Sequence, residues 1–308
     1  MPNLTLHINK QQVPFTQANL TFSIEQLAHT FSAIIPNANI KSPLPVQFKL
    51  NGTVIFSGQI DGAGDDVNGT SDQMSISGRS LSANLIDSRI KLDAIYNQRF
   101  DQLLERVVSD FGLSVRNDAG ELPEIPEFQI NAESPLDNLA QVAKQQNLML
   151  IEDKSYIVIQ RPGQNYEQNT VLEVGTNLDS LNVTRNFKDQ FYRYEIQGAW
   201  DDAFAAVNDE SVNTSRIKVI IADKLQDEAS CQTRAQYEKN IAIAKGLYAT
   251  AVSSGLHIAL TGTAINKTIT VKNPKKEFNE TLLIKSISIS ANDKSENTSI
   301  EMFKSMGG

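Results

Sequence analysis

Ile76-Ser77-Gly78-Arg79-Ser80-Leu81-Ser82-Ala83-Asn84-Leu85-Ile86-Asp87-Ser88 is the stretch whose pattern changes most sharply along this chain. Met74, Ile76 and Gly78 alternate with polar neighbours, the period-two signature of a strand with one buried face. The period then lengthens. Leu81, Leu85 and Ile86 fall on one side of a short helix, with Ser80 as the expected N-cap because its hydroxyl can accept from a free N–H of the first turn. Working back toward the N-terminus, Asp61–Asp72 reads as a loop rich in Gly and Asp. Val46, Phe48 and Leu50 alternate, and Asn51-Gly52 marks a type I′ hairpin turn before Val54-Ile55-Phe56. Leu4, Leu6 and Ile8 alternate in the same way. Residues 1–92 are therefore expected to be mostly β.

Beyond the quoted stretch the character changes twice. Phe100, Leu103, Leu104, Val107, Val108 and Phe111 form one apolar stripe, predicting a helix over 98–111 that Gly112 stops. Ser134, Pro135 and Asp137 announce a second helix as N-cap, N1 and N3, with Leu136, Leu139, Val142 and Ala143 on its apolar side. A hairpin follows, Leu148–Glu152 and Tyr156–Ile159. Residues 93–165 thus read as a small two-layer α+β domain, with Arg161–Asn165 as the linker out of it. The rest, 166–308, reads as strands near 181–184, 191–197 and 217–221, and a long polar helix over 227–251 of ~38 Å. Strands near 256–260, 268–271 and 283–289 close the chain. No internal repeat is visible in the residues.

Composition narrows the function. Hydrophobic residues make up 40% and charged residues 21%, ordinary for a globular protein. No run approaches the roughly 20 apolar residues of a membrane-spanning helix, so no membrane anchor is expected. The first residues do not read as a secretory signal. One cysteine, Cys231, excludes an internal disulfide and suits a reducing compartment. The net charge of -8 is uneven: residues 93–170 carry six basic and thirteen acidic side chains, while the rest is close to neutral. No cationic surface is available for specific nucleic-acid binding.

Candidate chemistry is sparse. His7, His29 and His257 lack a second ligand at metal-binding spacing. Gly64 and Gly69 have the Walker A separation, but Thr70 stands where the phosphate lysine belongs. Asp61, Asp65 and Asp66 miss the EF-hand pattern because Ala63 occupies the third position. Asp201-Asp202 and Asp209-Glu210 lie in a polar stretch, Trp200–Ser215, that reads as a solvated loop; Trp200 either stacks on a sugar or, more commonly, anchors a strand end in the core. Cys231 on a polar helix has no activating neighbour in sequence. No catalytic residue, cofactor or metal site is expected.

Four stretches together resemble the baseplate hub or tail proteins of Mu-like contractile-tailed phages, of the late control protein D type. Phe56-Ser57-Gly58-Gln59-Ile60-Asp61 is similar to a family strand ending in Gly-Tyr/Gln-Ile-Asp. Gly78 and Arg79, then Leu85, Ile86 and Asp87, match its Gly-Arg and (Asp/Asn)-Leu-Ile-Asp strand-to-helix signature. Phe187, Asp189, Phe191 and Tyr194 match the opening of its third region. Ile220-Ile221-Ala222-Asp223 before a charged helix matches its Ile-Ile-Ala-Asp. The resemblance implies an α+β chain with two β-barrel-like domains, 1–92 and 166–308, flanking the small domain. It implies a homotrimeric ring adapting the tail tube to a central spike among other baseplate proteins, in the virion tail and, during assembly, the bacterial cytoplasm. Arg79 and Asp87 are then a structural charged pair bracketing the short helix. A hub-like part of a contractile secretion or bacteriocin apparatus is the neighbouring reading, and a tail-attached cell-wall glycosidase the enzymatic one.

Overall fold

The computed structural model describes residues 4–36, 38–67, 72–122, 124–146, 148–161, 167–212, 215–222, 225 and 227–304. The first region holds β1 (Leu4–Ile8), β2 (Gln11–Val13), β3 (Gln17–Ser23), β4 (Thr30–Pro36), β5 (Pro45–Leu50), β6 (Thr53–Val67), β7 (Asp72–Ser80) and α1 (Ala83–Asp87). The middle holds β8 (Ile90–Arg99), α2 (Phe100–Val108), β9 (Ser114–Asn117), β10 (Glu124–Glu133), α3 (Pro135–Gln145), β11 (Met149–Asp153) and β12 (Tyr156–Gln160). The last holds β13 (Glu167–Glu173), β14 (Ser180–Arg185), β15 (Arg193–Gln197), β16 (Phe204–Asn208), β17 (Ile217–Ile221), α4 (Glu228–Lys245), β18 (Leu247–Ser254), β19 (Thr268–Asn273), β20 (Phe278–Asn292) and β21 (Glu296–Lys304). Strands dominate.

One 13-stranded sheet runs through both the first and the last region, because β20 pairs with β3. Within it the same strand order occurs twice. In the first region the order across the sheet is β3-β4-β7-β6-β5; in the last it is β14-β18-β21-β20-β19. Each set lists its first, second, fifth, fourth and third strand in chain order. The repeat absent from the residues is thus present in the topology. The shared core follows from alternation: Leu20, Phe22, Phe31, Phe48, Phe56, Ile76, Ala249, Ile287, Ile289, Ile300 and Met302 all project to one side of the sheet and are buried together. Asn51 and Gly52 have φ of 53° and 81°, both left-handed as a type I′ turn requires.

The middle unit has its own core, with Phe100, Leu103, Leu104 and Val108 of α2 fully buried against Ile130, Leu139, Ile157 and Ile159. The stripe predicted over 98–111 is helical from Phe100 to Val108 and tightens into a 3₁₀ turn over Ser109–Phe111. Gly112 ends it at φ 71°.

Several expectations are corrected. Ser80 does not cap α1: it stays in β7, paired with Gly58, and the helix starts after Ser82. The supposed loop from Asp61 continues as strand to Val67; Asn68, Gly69 and Thr70 lie outside the described residues, as do Pro162–Asn165 of the linker and Asp223. The long helix stops at Lys245, about 27 Å rather than ~38 Å, because Leu247, Ala249 and Ala251 alternate into the sheet core as β18. Leu256–Leu260 is a turn region, not a strand, and the stretch read as a solvated loop contains β16.

Candidate functional site

Two of the stretches that carry the family resemblance lie side by side. β6 and β7 pair with Gly58 opposite Ser80, Gln59 opposite Arg79 and Ile60 opposite Gly78. A Cβ on Gly78 would sit 1.9 Å from the Gln59 carbonyl oxygen and 2.7 Å from Phe31 Cε1. One on Gly58 would sit 2.2 Å from the Arg79 carbonyl oxygen. Both positions therefore exclude side chains. The close approach aims the Arg79 guanidinium at two carboxylates: Nε donates to Asp61 Oδ2 at 2.7 Å, and Nη1 and Nη2 donate to Asp87 at 3.2 and 2.5 Å. Arg79 thus fastens the end of the strand to the end of α1, and its hydrogen bonds hold the Asp87 carboxyl below the usual carboxylate range. Leu85 is buried into the middle unit's core, while Ile86 is half-buried.

The same corner seats the middle unit. Glu152 on β11 is 1% exposed. Its Oε2 accepts from Ser80 Oγ at 2.5 Å, from the Ser82 N–H at 3.2 Å, and from Ser82 Oγ. His29, just before β4, donates its N–H to Ser80 Oγ at 2.8 Å, and its Nε2 lies 2.9 Å from the Glu152 carbonyl oxygen. Burial pushes the Glu152 carboxyl up to about 7 against the pull of the Ser80 and Ser82 hydrogen bonds. Burial likewise lowers His29 to about 4. Glu152 Oε1 and His29 Nδ1 have no hydrogen-bond partner among the described residues. Both groups are best accommodated neutral, so this is a seat between units built on neutral polar contacts. Sequence offered no signal for it, since a glutamate in a hairpin reads as solvated.

In the last region, Tyr194 is fully buried; its hydroxyl accepts from the Phe191 N–H at 3.2 Å and the two rings meet edge to face. Phe187 is 65% exposed and Asp189 is exposed, so the structure joins only Phe191 and Tyr194 of the four matched residues. Trp200, expected in the core, is 64% exposed. Cys231 is buried against the Ala203 carbonyl, at 3.3 Å. His257 sits in a turn with Nε2 2.8 Å from Ser253 Oγ. Among the described residues no three His, Cys, Asp or Glu side chains are grouped as a metal would need, and no helix is long and apolar enough to cross a membrane.

A broad surface is the sheet face opposite the core. Eight strands in the order β14-β18-β21-β20-β3-β4-β7-β6 present it, every neighbouring pair antiparallel. Alternation places Asn182, Thr250, Ser299, Ser288, Ser290, Asn19, Thr21, Ser32, Ser75 and Ser77 on it, with Gly62 and Gly64 at one end. Arg79 with Asp61, Glu301 with Lys285, and Asp66 carry its charge, and Ile34, Tyr248, Val252 and Phe303 are apolar members. Its hydroxyl and amide groups make much of this face wettable.

No family model matches the chain. It is 23% identical over 265 residues to the baseplate hub protein gp44 of Escherichia phage Mu, covering 76% of this chain and 68% of that protein. Its fold is that of the 43 kDa tail protein of prophage MuSo2 from Shewanella oneidensis, with TM-score 0.83 and 20% identity over 99% of both chains. It is also similar in fold to the E. coli c3393 protein, a component of the type VI secretion system, with TM-score 0.64 and 11% identity over 98% of this chain and 78% of that one. The Mu-type resemblance read from the four stretches is found again in sequence and in fold.

Proposed function

We propose that this chain is a structural hub protein of a phage or prophage tail baseplate, a ring-forming adaptor between tail tube and central spike, and not an enzyme. The observation that carries the reading is the twofold use of one strand order within a single sheet. Residues 1–92 and 166–308 are its two barrel-like domains, with 93–165 as the small domain at the side. Three chains then offer six equivalent positions, which suits a sixfold tube. The partners are other copies of the chain, the tube, the spike and other baseplate proteins; assembly takes place in the bacterial cytoplasm and the product is part of the virion tail. Light scattering over a concentration series, with tube and spike proteins added, tests this: the mass should grow from 34.0 kDa toward about three times that value. A limiting dimer, or a strict monomer with both partners present, overturns it.

The likeness in fold to a type VI secretion component favours one second reading, a hub-like part of a contractile secretion or bacteriocin apparatus. Genes for effectors and immunity proteins beside this one would select it. A lytic band on a peptidoglycan gel would instead select the tail-attached glycosidase.

A further inference from the structure

β14 and β18 are neighbours in the large sheet, and their last rung sets Arg185 opposite Leu247. Everything between those two residues leaves the sheet and returns beside its point of departure. Residues 187–245 fold there into a small unit of their own. β15, β16 and β17 make a separate three-stranded sheet, and α4 covers one face of it. Its core is Ile196, Ala203, Ala205, Cys231 and Ala235, distinct from the core beneath the large sheet. We infer that this unit is a hinged arm, which swings as one body about a neck made of Asn186 and Gly246.

The neck is narrow. Two chain segments cross it, and the Asn186 N–H donates to the Gly246 carbonyl oxygen at 2.8 Å, one step beyond the Arg185–Leu247 rung. The polar bonds of the arm turn inward. Arg193 pairs with Glu195, Lys218 and Arg234 both pair with Glu238, and Lys239 Nζ donates to the Asn208 carbonyl oxygen. Arg216 Nη1 likewise donates to the Lys188 carbonyl oxygen within the arm. The joint itself is soft. Gly246 has φ −70° and ψ −18°, a helical conformation open to any residue, so no positive φ calls for glycine there. A Cβ at this position would meet Gln190 Nε2 at 2.2 Å, the far end of a side chain that can turn aside. What glycine supplies at the end of a helix is backbone freedom, and hinges absorb their change of direction at such element ends.

The helix that leads into the neck is open on two sides. At about 100° per residue, Ile241, Ala244 and Lys245 lie on one side of its last turns, and Ile243 and Gly246 on the other. The first side faces Ile24, Tyr248 and Phe303 of the body across a cleft of about 420 Å³. The second borders a cleft of about 840 Å³, with Ser211, Val212 and Arg216 on the arm's wall and Arg185, Glu280 and Lys304 on the body's. Tilting α4 one way closes one cleft and opens the other. A unit with its own core, joined through a small and loosely packed contact, moves relative to its neighbour by default. The tilt redirects the exposed row Ile217, Val219 and Ile221 on β17, at the outer edge of the arm's sheet.

Single-molecule energy transfer on the full chain tests the hinge, at picomolar concentrations where each molecule is alone. One dye goes on Gln236→Cys, exposed on α4, and the other on Lys276→Cys, exposed on the body beside the start of β20. Cys231 is buried and stays unlabelled. A pair inside the body, Gln47→Cys with Lys276→Cys, sets the width expected of a rigid frame. The arm pair should give at least two populations, together wider than this reference. Asn186→Pro removes the N–H of the neck and should broaden the spread further. Gly246→Ala in a Gln190→Ala background, where its Cβ meets no amide, should narrow the spread and slow exchange about threefold. A single population as narrow as the reference, with the native neck, overturns the arm. A broad spread indifferent to both neck substitutions overturns the hinge at Asn186 and Gly246.

Discussion

In the first copy of the strand order Phe31 of β4 is paired with Gly78 of β7; in the second the equivalent partners are Ala249 of β18 and Met302 of β21. All four are buried in one core. One copy places a ring beside bare backbone, and the other a methyl beside a long flexible side chain. What is held constant is the volume of the pair and not the identity of either member, as close packing requires. The surroundings then diverge. Gly78 lets β6 and β7 approach, Arg79 grips α1, and Ser80 receives Glu152 of the middle unit. At the place equivalent to Ser80 the second copy has Lys304, half-buried, with an ion pair to Glu280 at 3.7 Å and no appended unit.

The largest effect should come from forcing the second solution onto the first. Gly78→Met puts a side chain where its Cβ meets backbone at 1.9 Å, and should cost about 4 kcal/mol or more in chemical denaturation. Adding Phe31→Ala should restore only part, because the Gln59 carbonyl remains in the way. Full rescue would mean that the two pairs are interchangeable and that the glycine serves no backbone approach.

Leu104→Asp comes next and lies outside both copies. It buries a charge in the middle unit's core, where Leu104 is fully buried, and should cost about 3–4 kcal/mol. A melting temperature within a few degrees of wild type would remove α2 from that core.

The seat at Ser80 gives a pH dependence. A carboxyl raised to about 7 binds more protons folded than unfolded, so its stability contribution is lost as pH rises from its ordinary value through 7. An imidazole lowered to about 4 works in the opposite sense, adding stability as pH rises from 4 toward its ordinary value of 6.5. Between about 4.5 and 6.5 the two slopes oppose each other. Glu152→Gln should therefore gain of order 2 kcal/mol relative to wild type on going from pH 5 to pH 8, and should uncover the histidine's rise below pH 6.5. Parallel pH–stability curves for the two proteins would place no titrating carboxyl at this joint. The smallest effect is Asp87→Asn: its partner is a third exposed and it is itself half exposed, so about 1 kcal/mol or less is expected, weaker still at high salt.

What could be read in advance follows from how local each cause is. The Asn51-Gly52 turn, the stop at Gly112 and the stripe on α2 depend on neighbours within a few residues, and all three stand. The limits of α4 and the turn at His257 depend on which residues the distant sheet takes up, so periodicity alone overran them. The duplicated strand order was invisible because Phe31 and Gly78 share no residue type with Ala249 and Met302. Arg79 and Asp87 were expected as a bracketing pair and do bond, with Asp61 as a third member that only the β6–β7 register reveals. Glu152 could not be anticipated, since its burial is created by a corner 70 residues away in the chain.

β20 has a mechanical consequence. Its second half meets β3 through seven consecutive paired residues, Ser286–Asn292 against Ser23–Gln17, while its other edge is held by β21. A pull or push along the strand axis loads those rungs in shear, so they yield together and not one after another, whereas a force across the strands would peel them open singly. The seam is therefore stiffest when the load runs along its strands, across all seven rungs at once. β20, bonded to β21 on one edge and to β3 on the other, is the strand that ties the two halves of the sheet together.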